Sequence, residues 1–145
     1  MAGGIVADTL TRHHSGMTTT LFGISNCDTV RRARTWLDAQ DVPYVFHDFR
    51  KNGLPDAALD RWLQAPGWEA LLNRRGTTWR QLDAVTRDSV VDAASARAVL
   101  AAHPTLIKRP VVEWQPASVV TVGFETAEWA ALSPGKLPAK SGKQM

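Results

Sequence analysis

Between Thr19 and Phe49 the apolar pattern changes period twice, and no other feature restricts the folding of this chain as strongly. Thr19 to Ile24 is short, β-branched and apolar, as in a buried strand. Gly23, Ser25 and Asn26 break that run, and from Asp28 onward Val30, Ala33 and Leu37 recur at helical spacing. The helix should stop near Gln40 and Asp41, after which Val42 to Phe49 alternates and is rich in β-formers. A strand, a helix of about three turns and a second strand form a βαβ unit, whose two strands run parallel.

Helical signals dominate the next stretch. Lys51-Asn52-Gly53 reads as a turn, and Leu54-Pro55-Asp56 opens a helix that carries Ala58, Leu59, Trp62 and Leu63 and ends at Pro66-Gly67. Trp68 to Leu72 supplies another turn or two of helix, followed by a polar, basic loop from Asn73 to Arg80. Leu82 to Val91 is short helical material, and Asp92 caps an alanine-rich helix through Ala102. Strand signals then return: Ile107 to Trp114, with Pro110 at the strand's start, and Val119 to Val122 across a Gln115–Ser118 turn predict an antiparallel hairpin. A last helix runs from Thr126 to Leu132. The order β-α-β, helical insert, hairpin, helix is that of an α/β thioredoxin-like fold with a mixed four-stranded sheet and an inserted helical subdomain at about 54–103.

The chain of 145 residues, 44% hydrophobic and 21% charged, suits a single domain with its own core, expected over 17–133. Residues 1–16 lack periodicity and read as a disordered extension, with Met17 as the natural start. Residues 134–145, rich in Pro, Gly, Ser and Lys, read as a disordered tail. The net charge of +3 is misleading. Once Lys136, Lys140 and Lys143 of the tail and the cancelling Asp8 and Arg12 are set aside, acidic and basic residues are equal in number. A neutral body argues against direct nucleic-acid binding, which needs a clustered basic face. No apolar run is long enough to span a membrane or to form a signal-peptide core. The adjacent His13 and His14 offer a metal ion too few ligands, so no metal site is expected.

Cys27 is the one cysteine. An internal disulfide is therefore impossible, and a reducing cytoplasm is the expected location. Cys27 falls at or just before a helix start, where unpaired N–H groups and the helix dipole favour the thiolate, the nucleophilic form. Arg31, Arg32 and Arg34 add positive charge, while Asp28 would oppose ionisation if it turned toward the sulfur. A lone cysteine is also commonly a small buried hydrophobe; polar Ser25, Asn26, Asp28 and Thr29 around it weigh against that reading. Arg74 and Arg75, with Arg80 nearby, either hold an anion or form a solvated surface.

Several stretches resemble one family, the arsenate-reductase-related group that includes ArsC, the Spx regulators and the YffB-type proteins, with the match nearest to the YffB type. They are Leu21-Phe22-Gly23-Ile24-x-Asn26-Cys27-Asp28-Thr29, His47-Asp48-Phe49-Arg50, Gly67 to Leu72, Asn73-x-Arg75-Gly76-Thr77-Thr78-Trp79-Arg80, Asp92-Ala93-Ala94-Ser95-Ala96, Ile107-Lys108-Arg109-Pro110 and Gly123-Phe124. The resemblance covers about residues 19–132. It implies a thioredoxin-like fold with a helical insert, Cys27 as nucleophile, Pro110 as a cis proline facing it and Arg109 as an anion or thiol-partner contact.

Departures from the group shape the expected function. Where its arsenate reductases have arginines this chain has Asn73 and Gly123-Phe124, and where Spx-like sensors have a second cysteine it has Val30. The reading that follows is a monothiol oxidoreductase with no bound cofactor. Cys27 attacks an oxidised substrate, and glutathione or another small thiol resolves the intermediate. Asn26, Asp28 and Thr29 would hydrogen-bond the reacting group, Arg31 would favour the thiolate, and Arg109 with Arg74 or Arg75 would neutralise a carboxylate or oxyanion. Arsenate reduction is one alternative; an Spx-like regulator that contacts RNA polymerase without catalysis is the other.

Overall fold

The computed structural model describes residues 18–133; the expectations for 1–16 and 134–145 lie outside the described residues. Strand β1 (Thr19–Gly23) leads through a turn to helix α1 (Asp28–Ala39) and strand β2 (Tyr44–Asp48). A helical region follows: α2 (Phe49–Asn52), α3 (Asp56–Trp62), α4 (Trp68–Leu71), α5 (Thr77–Gln81), α6 (Ala84–Asp88) and α7 (Ala93–Ala102). Strands β3 (Val111–Trp114) and β4 (Val119–Val122) and helix α8 (Thr126–Leu132) close the chain. The sheet is mixed, in the order β2-β1-β3-β4. β1 pairs parallel with β2 (Leu21 opposite Phe46) and antiparallel with β3 (Leu21 opposite Val112), and β3 and β4 form the antiparallel hairpin. This is the α/β, thioredoxin-like arrangement that the sequence predicts.

Period-two alternation along β1 and β3 builds two cores, one on each sheet face. Leu21 and Val112 join Val30, Ala33 and Leu37 of α1 and the Trp114–Trp129 pair. Phe22 and Val111 face the helical region and meet Leu59, Trp62, Leu71, Leu100 and Ile107. Trp62, Trp114 and Trp129 are fully buried; Trp129 meets Trp36, Trp114 and Phe124 edge-on, with ring centroids 4.8–5.8 Å apart. Glu113 ties the helical region to the sheet, accepting from Trp62 Nε1 at 2.9 Å and pairing with Arg61 at 2.9 Å.

Several boundaries differ from the sequence expectation. β1 stops at Gly23, because Ile24 O is taken by Cys27 N at 3.3 Å in the turn. β2 begins at Tyr44 rather than Val42, whose N–H donates to Leu37 O at 3.0 Å and so closes the end of α1 instead of entering the sheet. Phe49 opens the short α2 in place of a simple turn, because Asp48 Oδ1 accepts from Arg50 N and Lys51 N at 2.9 and 3.1 Å. The expected loop at 73–80 contains α5. Strand pairing in the hairpin starts at Val111; Ile107 instead bridges Leu72. Asp92 caps α7 through a reciprocal pair with Ser95, as expected.

Gly23 sets how closely α1 packs on β1. A Cβ there would lie 2.8 Å from Cγ2 of Val30, a stiff side chain fully buried in the first turn of α1. Gly23→Ala should destabilise the fold by about 1–3 kcal/mol in denaturant unfolding. Combining it with Val30→Ala should cost less than the sum of the two single changes, because the second removes the clash made by the first.

Candidate active site around Cys27

The end of β1, the first turn of α1 and the segment entering β3 converge on Cys27. Cys27 is the N-cap of α1, with extended backbone (φ −101°, ψ 124°), and is partly buried where the two cores meet. Its sulfur closes no capping hydrogen bond of ordinary geometry. Three groups nevertheless act on it. Burial pushes the thiol up; against this, the Val30 N–H, the Arg109 guanidinium through hydrogen bonding and charge, and the Thr29 N–H together bring it below the ordinary value of a cysteine.

Arg109 is held by its own segment. Its Nη1 donates to Thr105 O at 2.9 Å and Ile107 O at 3.2 Å, which fixes the guanidinium while leaving its charge uncompensated by those neutral carbonyls. Its Nε is buried and has no hydrogen-bond partner. A buried donor without an acceptor is costly. The Arg109–Pro110 peptide is cis, and Pro110 O accepts from Gly123 N at 2.9 Å.

The remaining sequence-selected residues separate into two groups. Asn26 is exposed in the turn before Cys27. Asp28 is exposed and pairs with Arg31 at 3.1 Å and Arg32 at 3.6 Å, so the Arg31 charge is directed to a carboxylate and not to the sulfur. Arg74 and Arg75 line an open cleft of about 260 Å³ with Leu72, Asn73 and Lys108. Arg74 also lies between the Trp68 and Trp79 rings, 5.7 and 5.8 Å from their centroids. Backbone pairing places this cleft beside the Arg109 segment: Asn73 N donates to Leu106 O at 2.8 Å and Lys108 N to Leu71 O at 2.7 Å.

Sequence reading gave no site role to Lys108, the Val30 amide or Asp48, although Lys108 and Asp48 stand in stretches that carry the family resemblance. Lys108 stands next to Arg109 in sequence, a signal that was available. A backbone amide carries no side-chain signature. Among the described residues, no group of three or more His, Cys, Asp or Glu is placed to hold a metal ion, and no helix is long and apolar enough to cross a membrane.

Comparison with known proteins decides the family. The model of the ArsC family matches residues 22–132. The chain belongs to the ArsC family. An uncharacterised protein of Haemophilus influenzae is 40% identical over 77% of this chain and 96% of its own length. The solved structure of a YffB protein is 42% identical and superposes with a TM-score of 0.74 over 80% of this chain and 99% of that one. The global transcriptional regulator Spx of Streptococcus pneumoniae is 24% identical over 79% of this chain and 85% of its own length. Nucleophilic thiol chemistry is consistent with this membership and with the surroundings of Cys27.

A lowered thiol pKa has a defined sign in two measurements. Cys27 alkylation should be half-maximal below the ordinary thiol value of about 8.5, and Arg109→Ala should move the midpoint up, with Arg109→Lys in between because a lysine keeps the charge but not the planar guanidinium. Any contribution to stability should be present above the unfolded thiol value and lost as pH falls through the folded one.

Proposed function

We propose that this protein is a monothiol oxidoreductase that reduces mixed disulfides at the expense of glutathione. The observation that carries the reading is the meeting of the Cys27 sulfur, the first N–H groups of α1 and the Arg109 guanidinium at one point. In the first step the Cys27 thiolate attacks a glutathionylated thiol. An S–S bond to glutathione forms on Cys27, the original S–S bond breaks, and the substrate leaves as its thiolate. In the second step a glutathione thiolate attacks the glutathione sulfur bound to Cys27. Glutathione disulfide is released and the Cys27 thiolate returns. An external thiol is required because the chain has no second cysteine.

Asn26 and Thr29 flank the reacting sulfur, Arg109 stabilises it as an anion, and the cleft of Arg74, Arg75 and Lys108 takes a glutathione carboxylate. Arsenate is the weaker substrate, because Asn73 and Gly123-Phe124 stand where arginines would compensate its charge. The test is turnover of a glutathionylated peptide with glutathione, coupled to glutathione reductase, with arsenate assayed in parallel. Turnover should vanish in Cys27→Ser, and without glutathione the wild type should accumulate one glutathione on Cys27 by mass. Absence of Cys27-dependent turnover on either substrate overturns the reading.

The relationship to Spx favours a second reading, a regulator that binds RNA polymerase. Retention of polymerase subunits equally by wild type and Cys27→Ser would support it, and no retention by either would remove it.

A further inference from the structure

Asp48 is the one buried acid among the described residues, 5% exposed, and helix capping accounts for only half of its carboxylate. Oδ1 accepts from Arg50 N and Lys51 N at the start of α2. A serine or asparagine oxygen serves such a cap about as well. Oδ2 turns the other way and accepts from Ser25 N at 3.1 Å, 23 residues back in the chain. Gly23 lies opposite Asp48 in the β1–β2 register, so the carboxylate stands beside the point where β1 gives way to the loop. The loop's other end is closed by Cys27 N donating to Ile24 O at 3.3 Å.

We propose that Asp48 is a positioning residue of the thiol site, its Oδ2 holding the Ser25 amide so that the Ile24–Cys27 turn presents Sγ to Arg109 and to the first N–H groups of α1. The proposal rests on Cys27 being the reacting group. It requires a carboxylate, because an ionised acid accepts at both oxygens. An asparagine in either orientation turns its NH₂ toward N–H donors. The three N–H groups and the Ser25 hydroxyl outweigh burial and hold the Asp48 carboxyl below its ordinary value, which keeps both oxygens acceptors at neutral pH.

The test is the pH profile of Cys27 alkylation in Asp48→Ser, which keeps a capping oxygen for α2 but cannot reach Ser25, and in Asp48→Asn. A core variant, Leu59→Ala, serves as a destabilised control. In both Asp48 variants the alkylation midpoint should rise toward the ordinary thiol value of about 8.5, and the rate at pH 7 should fall about three- to tenfold. Leu59→Ala should leave the midpoint in place. A wild-type midpoint below the ordinary thiol value of about 8.5 that neither Asp48 variant moves overturns the positioning role alone; a wild-type midpoint at or above that ordinary value overturns the thiol reading and the positioning role with it. Amide exchange in the wild type gives a second readout that does not depend on the variants folding. Ser25 N–H, which Asp48 accepts, should be protected relative to the N–H of Asn26, and exchange of Ser25 as fast as Asn26 overturns the proposal.

Discussion

Strand β1 has a partner on each side and an apolar core on each face, and everything else in the structure is arranged to meet those four demands. Five residues serve them: Leu21 packs with α1, Phe22 with the helical region, and the backbone pairs with β2 and β3. A strand buried this completely leaves no freedom in where it ends. The turn that follows must carry the chain from the sheet to a helix packed directly over it, and the small size of Gly23 permits that approach. Cys27 is therefore delivered to the start of α1 by core packing, before any charge acts on it.

Electrostatics then act on a position already fixed. Burial of the sulfur opposes ionisation, while the donors at the helix start and Arg109 favour it. The two amides belong to α1 itself and come with the N-cap position. The guanidinium comes from the segment entering β3, on the far side of the helical region in sequence, and the Thr105 and Ile107 carbonyls that grip it restrict its motion. A cation held by neutral acceptors keeps its charge for the sulfur, whereas Arg31, pairing with an exposed carboxylate, does not. Proximity in sequence was thus a poor guide to which arginine matters.

The sequence revealed those parts of the fold that have a period. Alternation and helical spacing located β1, α1, the hairpin and α7 to within a few residues, and turn chemistry found the Asp92 cap. Hydrogen bonds between distant segments leave no such periodic mark. Val42 reads as strand by type but is taken by the Leu37 carbonyl, and Asp48 reads as the polar end of a strand although one of its oxygens caps α2 and the other holds the turn at Ser25. Cys27 was legible at the site because a polar break between strand and helix is a local pattern. The position of Arg109 was legible through family resemblance and not through spacing, since 82 residues and the whole helical region separate it from the cysteine.

The separation of the two cationic features has a chemical consequence. Arg74, Arg75 and Lys108 line a cleft of their own, while among the arginines it is Arg109 that acts on the thiol. A thiol driven too far toward the anion loses intrinsic nucleophilicity as its pKa falls, while a thiol left at its ordinary value is mostly protonated at neutral pH. One fixed guanidinium and two amides working against burial lower the thiol from its ordinary value. Had the cleft arginines also crowded the sulfur, binding an anionic substrate would neutralise the charges that ionise it. If the neighbouring cleft takes a substrate carboxylate, as proposed, that carboxylate leaves the Arg109–Cys27 pair intact.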